Sequence, residues 1–337
     1  MIEHKGTRSI ETARLLLRRM RESDADDAYD RWQADADVAR YMRWTPVTSL
    51  AEARKDMAEG VASYSDTRYR WGIARKEDDR VIGSISAPHI DAWDETAEVG
   101  YCLGRAFWGQ GYAAEALEAV IHYLFFDVGL NRVSACHSLA NPASGRVMQK
   151  AGMVREGSAR QYYRAMPGLQ DVDLYGIVKD MLYQPGTDFA FAEPGELTDD
   201  DLSLVCTKRS PAIPEKGWVP SYHFTMHSNG QDVGSINLRI GMTLGLYYSG
   251  QIGYSVAEAH RGQGYAGRAC RLLRPLMRHH GYREVLITND YTNTASRRVC
   301  EKLGARLVRV ADVPDWHDLH ATGSHRECIW AWPVTEE

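Results

Sequence analysis

Glu98-Val99-Gly100-Tyr101-Cys102-Leu103, followed by Trp108-Gly109-Gln110-Gly111-Tyr112-Ala113, is the stretch that decides the fold. Ala97 to Leu103 alternates as a strand, and helical spacing runs from about Gly111 to Phe126. A strand, a glycine turn and a helix start together make an anion site. The glycines let a ligand approach the backbone, the first N–H groups of the helix point at it, and the helix dipole favours negative charge. The fitting ligand is a phosphate or pyrophosphate. A P-loop needs Gly-Lys-Ser/Thr after its glycines, and none is here. A dinucleotide fingerprint needs a βαβ unit near the chain start, whereas this loop follows an antiparallel run.

The same signals return further on. Gly100-Tyr101 recurs as Gly253-Tyr254, and Gly109-Gln110-Gly111-Tyr112-Ala113 recurs as Gly262-Gln263-Gly264-Tyr265-Ala266. Asn141-x-x-Ser144-x-Arg146-Val147-x-x-Lys150-x-Gly152 recurs as Asn293-x-x-Ser296-x-Arg298-Val299-x-x-Lys302-x-Gly304. Separate motifs keeping register to within one residue mark a duplicated unit. The break is expected near Gln184-Pro185-Gly186-Thr187, giving domains 1–185 and 186–337. Before it, Asp173 to Tyr183 reads as a closing strand.

In the first unit, Leu15–Arg18 reads as a strand, and Asp24–Ala34 and Ser49–Tyr64 read as helices with capping residues at their starts. Arg70–Arg75 and Arg80–Ala87 read as a hairpin, Arg132–His137 as a strand and Asn141–Ala151 as a helix. Val154–Tyr163 and Asp171–Leu182 are expected to pair. In the second unit, Tyr222–Met226, Val233–Ile240, Gln251–Val256 and Glu284–Thr288 read as strands. Gly264–His280 reads as a helix interrupted near Pro275, and Asn293–Leu303 as a helix. The short distance from Phe191 to the first hairpin strand predicts shortened early helices there.

Arg261-Gly262-Gln263-Gly264-Tyr265-Ala266 matches the R/Q-x-x-G-x-G/A signature of the GNAT N-acetyltransferase superfamily, and Trp108 to Ala113 is a variant of it. Glu98-Val99-Gly100-Tyr101, the Asn141 to Ser144 spacing, and Gly152-Met153-Val154-Arg155-Glu156-Gly157 make the first half resemble the ribosomal-protein-alanine N-acetyltransferase branch. The resemblance covers most of residues 10–183 and, in the core motifs, 220–310. It implies two tandem GNAT folds of mixed α/β (α+β) class, each with a sheet split between two central strands. It further implies acetyl-CoA as acyl donor in the split, with its pyrophosphate on the glycine loop. The pantetheine arm is then expected beside Cys102 and Leu103, or beside Ser255 and Val256, with Asn141 and Asn293 near it.

Direct aminolysis of a thioester needs a base near the amine and a proton donor near the sulfur. Glu98 stands where the resembled branch has its base; a surface carboxylate in an ion pair is the alternative reading. The helix position that carries an acidic tyrosine in many family members holds Met148 and Cys300 here. Ser144 is the replacement candidate, or else a hydroxyl satisfying the helix start, and Asn141 before Pro142 also fits a helix cap. The second unit has Gln251 in place of Glu98, and a glutamine cannot serve as a base. A division of labour follows: chemistry in the first unit, a structural, regulatory or specialised role in the second. Cys300 there is either a thiol participant or a buried cysteine.

Other motifs are weighed against plainer roles. His317, His320 and His325 suggest a metal site only weakly, because no helical H-E-x-x-H context surrounds them, and no metal is expected. Arg268, Arg271, Arg274 and Arg278 read as a solvated helix face, or as a surface for an aminoacyl-tRNA donor. Trp32, Tyr41, Trp44 and Tyr64 read as core or as an acceptor-pocket lining, and Tyr162-Tyr163 shares that ambiguity. The 337 residues carry net charge −5, and both halves are mildly acidic, which disfavours bulk nucleic-acid binding. No apolar run is long enough to cross a membrane. Six cysteines without metal spacing or an export signal read as reduced thiols in a cytoplasmic protein, a monomer or homodimer. The expected acceptor is a primary amine of a small molecule or a protein N-terminus.

Overall fold

The computed structural model describes residues 2–181 and 189–334. The chain divides into units Met1–Lys179 and Asp180–Glu337. The expected break near Pro185-Gly186 lies outside the described residues.

The first unit opens with the hairpin of β1 (Ile10–Glu11) and β2 (Leu15–Arg18). A helical region follows, made of α1 (Ala25–Ala28), a π turn over Tyr29–Gln33, α2 (Ala36–Ala39) and α3 (Leu50–Ala62). The single helix expected over Asp24–Ala34 is therefore broken. The π turn widens it, and Asp35 starts α2 by accepting the Asp37 amide. α3 starts where expected: the Ser49 hydroxyl accepts the Glu52 amide, and the Glu52 carboxylate accepts the Thr48 amide. Next come β3 (Tyr69–Arg75), β4 (Val81–Asp91), β5 (Thr96–Leu103), α4 (Tyr112–Tyr123), β6 (Arg132–Ser138), α5 (Pro142–Lys150), β7 (Val154–Ala165) and β8 (Gly168–Val178). The last strand stops at Val178, short of the expected Leu182, because Lys179–Met181 coils into a 3-10 turn.

The strand order of this unit is β7-β8-β6-β5-β4-β3-β2-β1. All its neighbours are antiparallel except β5 and β6, which pair in parallel from Thr96↔Arg132 to Glu98↔Ser134 and no further. Past Glu98 the two strands part, β5 running on to Leu103 and β6 to Ser138. The buried Arg18 ties β2 to the helical region and to the β3–β4 turn. Its guanidinium forks onto Asp24 at 2.7 and 2.9 Å and meets Asp79 at 3.0 Å.

The second unit holds β9 (Thr198–Asp199), β10 (Leu202–Ser210), β11 (Ser221–Ser228), β12 (Gln231–Arg239), α6 (Leu244–Ser249), β13 (Ile252–Val256), α7 (Tyr265–Leu272), α8 (Arg274–His279), β14 (Glu284–Asp290), α9 (Thr294–Leu303), β15 (Arg306–Asp312), α10 (Asp318–Ala321) and β16 (Arg326–Pro333). Its order is β15-β16-β14-β13-β12-β11-β10-β9, and β13 meets β14 in parallel at Ile252↔Ile287 alone. The helix break falls at Leu273, just before Pro275, as expected. The early helices are replaced rather than shortened. Between β10 and β11 lies one 3-10 turn, Pro214–Lys216, in a stretch too rich in proline and glycine for more. Helices enter elsewhere: α6 between β12 and β13, and α10 between β15 and β16. Tyr248 of α6 packs edge-on against Trp316 and His317, which precede α10.

Glu327 on β16 is 3% exposed. Burial, helped by the nearby Asp290 carboxylate, pushes its pKa up to about 7, against the opposing hydrogen bond from Ser324. Between about pH 4.5 and 7 the folded state keeps a proton that the unfolded state has lost, so stability falls as pH rises through that window. Glu327→Gln is expected to raise thermal stability at pH 8 by roughly 2–3 kcal/mol and to change it little at pH 4.5. Thermal unfolding at both pH values checks this.

Candidate active site

The two glycine loops have matching backbones. Gly109 and Gly111 sit at φ +76° and +84°, and Gly262 and Gly264 at +81° and +83°. The second glycine of each pair is the N-cap of its helix, α4 or α7, in the left-handed conformation. The positive φ favours glycine, and a Cβ on Gly109, Gly262 or Gly264 would meet nothing within 4 Å, so the loop surface is open to a ligand. The residue opening each motif clamps the loop to the preceding strand. Trp108 Nε1 donates to the Leu103 carbonyl at 2.8 Å, and Arg261 Nε donates to the Val256 carbonyl at 3.3 Å. Gln110 folds back to donate to the Ala106 carbonyl, while Gln263 is exposed.

A further support is missing from the sequence reading. Arg14 donates to the Gln110 carbonyl at 2.9 Å, pairs with Glu115 at 2.7 Å and lies 4.3 Å over the Tyr112 ring. It ties the glycine loop and the first turn of α4 to the chain just before β2. A lone arginine beside β2 carries no motif that announces this.

A cavity of about 790 Å³ lies in the split between β5 and β6. Its lining includes Glu98, Cys102, Leu103, Trp108, Gly109, Gly111, Tyr112, Ala113, Asn141 and Ser144. Gln110 is not in this lining. Tyr41, Arg43, Trp44, Cys136 and Tyr163 also border it. The four early aromatics thus divide: Tyr41 and Trp44 face the cavity, Trp32 is core, and the Tyr64 hydroxyl bridges the Met20 amide and the Arg70 carbonyl.

Glu98 is half-buried beside the point where the strands part. Arg43 Nη2 lies 3.6 Å from its Oε1, and the Cys136 thiol 4.0 Å away. Burial and then the Glu98 carboxylate push the Cys136 thiol up to about 11. The Glu98 charge also raises the Tyr162 phenol. Ser144 does not cap α5. Its Oγ is 2.9 Å from the Tyr101 hydroxyl, which also lies 2.9 Å from the Ser144 carbonyl. Asn141 holds the N-cap position before Pro142, as the cap reading expects, but its side chain makes no cap bond. Burial raises the Tyr101 phenol, keeping it protonated. The repeated Gly-Tyr and Asn-x-x-Ser motifs held the signal for this pairing, because the second unit repeats it: Tyr254 OH lies 2.8 Å from Ser296 Oγ.

The second unit departs where the chemistry would need it most. Gln251 is fully buried. Its amide nitrogen donates to the Gly241 carbonyl and the Tyr282 hydroxyl, each at 3.0 Å, and its oxygen accepts the Leu286 amide at 2.8 Å. Asn293 does cap α9, accepting the Ser296 amide at 3.1 Å. Cys300 is buried against Asn289, and burial pushes its thiol up to about 12. Ser255 is exposed and Val256 half-buried at the end of β13.

The arginine run is committed to its own unit rather than left as a free basic face. Arg268 pairs with Asp199 at 2.7 Å and Asp201 at 2.8 Å, and Arg271 donates to the Lys302 carbonyl. Arg274 covers the Trp332 ring and Arg278 donates to the Val334 carbonyl. His317 uses Nε2 on the Gly245 carbonyl and Nδ1 on the Leu319 amide.

A family model described as Acetyltransferase (GNAT) domain matches residues 14–154 and again 171–306. The uncharacterized N-acetyltransferase p20 of Bacillus licheniformis is 36% identical over 173 residues, which is 51% of this chain and 96% of that protein. The ribosomal-protein-serine acetyltransferase of Escherichia coli K12 is 28% identical over 139 residues, 41% of this chain and 78% of that protein. Among solved structures, an acetyltransferase (GNAT family) from Bacillus anthracis aligns at 24% identity over 51% of this chain and 98% of that one, with TM-score 0.46.

Proposed function

We propose, from the premise that this chain belongs to the acetyltransferase (GNAT) family and is an acetyl-CoA-dependent N-acyltransferase, that its first unit acetylates a primary amine by direct attack in a ternary complex. The observation that carries this is the shared cavity: the anion-binding loop, Glu98 and Ser144 all border one space between the parted strands.

Acetyl-CoA fits these residues. The open glycine loop at the start of α4, backed by Arg14, suits a pyrophosphate, and the cavity gives its thioester a path toward Glu98. When bound, acetyl-CoA supplies an activated acyl carbon and a thiol leaving group. Glu98 takes the proton from the attacking amine, directly or through one water. Arg43, 3.6 Å from that carboxylate, lowers the proton affinity of a nearby ammonium. Tyr101 has one proton and two acceptors in reach, the Ser144 carbonyl and Oγ. When it donates to Oγ, the Ser144 proton is free to point at the departing sulfur.

The second unit is proposed as a diverged partner. What supports this is Gln251, whose amide is fully used in structural hydrogen bonds at the position equivalent to Glu98. The acceptor is a small molecule or a peptide N-terminus. The test is a panel of primary amines with acetyl-CoA, read by thiol release and product mass. Acetylated amine is expected, and a panel without thiol release contradicts the reading.

A further inference from the structure

We infer that Arg43 selects the acceptor, and that the acceptor class is an amine carrying a carboxylate one or two carbons from its nitrogen. This rests on the proposed role of Glu98.

Arg43 stands on the loop after α2 with its side chain 62% exposed. Its contact with Glu98 is an ion pair at 3.6 Å, too long for a hydrogen bond. The planar guanidinium lies 5.1 Å over the Tyr163 ring, and the Tyr163 hydroxyl donates to the Tyr41 carbonyl at 2.9 Å. The ring thus fastens β7 to the loop that bears Arg43, and the guanidinium has a fixed platform. Besides its contacts with Glu98 and Cys136, its N–H donors have no partner among the described residues, and their fork geometry matches a carboxylate.

Position sets the class. An attacking nitrogen within hydrogen-bond reach of Glu98 stands beside the Arg43 fork. An anion held by that fork is therefore separated from the nitrogen by only one or two carbons. Charge points the same way. Arg43 stands against Glu98 and Arg40 also lines the cavity, whereas Asp37 is already paired with Arg105 at 2.8 Å. A second cationic group on the acceptor would meet repulsion, and a neutral neighbour would leave the fork without a partner. Tyr41 and Trp44 give the remainder of the acceptor an apolar bed.

The test uses the whole chain with acetyl-CoA and three matched triads, built on the leucine, phenylalanine and lysine side chains. Each triad contains the free amino acid, its decarboxylated amine and its carboxamide, which mimics a peptide N-terminus. The expected result is a kcat/KM for the free acid of at least one triad about 10- to 100-fold above both partners. Arg43→Gln brings that ratio close to one, and Arg43→Lys keeps part of it. A purely structural role would lower all three members together and leave the ratio in place. Amines or carboxamides turned over as well as the acids overturn this inference alone, as does a ratio unmoved by Arg43→Gln. Absence of thiol release from all nine compounds overturns it together with the acetyltransferase reading of the first unit.

Discussion

Glu98→Gln is expected to lower kcat/KM for amine acetylation by about 10²- to 10⁴-fold, the range that a positioned general base supplies. The substitution keeps the shape of the side chain and removes its ability to take a proton. Glu98 is half-buried beside Arg43 rather than part of the core, so the fold should survive. Acetyl-CoA binding, measured by calorimetry, should stay intact, because the glycine loop and Arg14 are untouched. The loss should shrink at high pH, where more of the free amine is already deprotonated. A variant with wild-type rates across the pH range would remove Glu98 from the mechanism.

The mirror substitution, Gln251→Glu, has a large effect of another kind. It restores the carboxylate that the first unit carries at the equivalent position, and simple homology would expect a gain of activity. The structure predicts a loss of stability. Gln251 is fully buried, and its amide nitrogen donates to the Gly241 carbonyl. A carboxylate oxygen there would face that carbonyl with no proton between them. An unpaired buried charge costs about 3–5 kcal/mol. The variant should show that loss in chemical denaturation at pH 8, and less of it at low pH, where the acid is protonated. A stable variant with raised thiol release would mean that the second unit needs only a carboxylate to work.

How much was legible differs by type of residue. The glycine loops, their helices and the meander strands were readable because each rests on local rules: positive φ, helix start and alternation. The break at Pro275 was readable for the same reason. The π turn at Tyr29 was not, since it leaves no compositional mark. Nor was the replacement of the early helices in the second unit by α6 and α10, because the connections between strands vary in length and content even where, as with Tyr247 and Tyr248, their side chains end up buried. Gln251 was recognised as unable to act as a base, but its structural role depends on hydrogen bonds with Tyr282 and Leu286, which are distant in sequence. Arg43 and Arg14 were missed altogether. Each is a single charged residue on a connection, given meaning only by where the fold delivers it. The Tyr101–Ser144 pair lay half visible, with both members repeated in the second unit and only their contact unreadable.

The central claim is that the first unit carries the chemistry. Gly109→Asp tests it most directly. At φ +76° any side chain is strained, by roughly 1–2 kcal/mol, but aspartate is among the better-tolerated replacements and its Cβ meets nothing within 4 Å, so the loop should keep its shape. The new carboxylate faces the site proposed for the pyrophosphate and repels it. Thiol release from acetyl-CoA with a competent amine should fall to background, while the chain still unfolds cooperatively, with only the modest loss of stability that the strained position costs. Turnover retained by a folded Gly109→Asp chain would place the chemistry outside the first glycine loop and contradict the account.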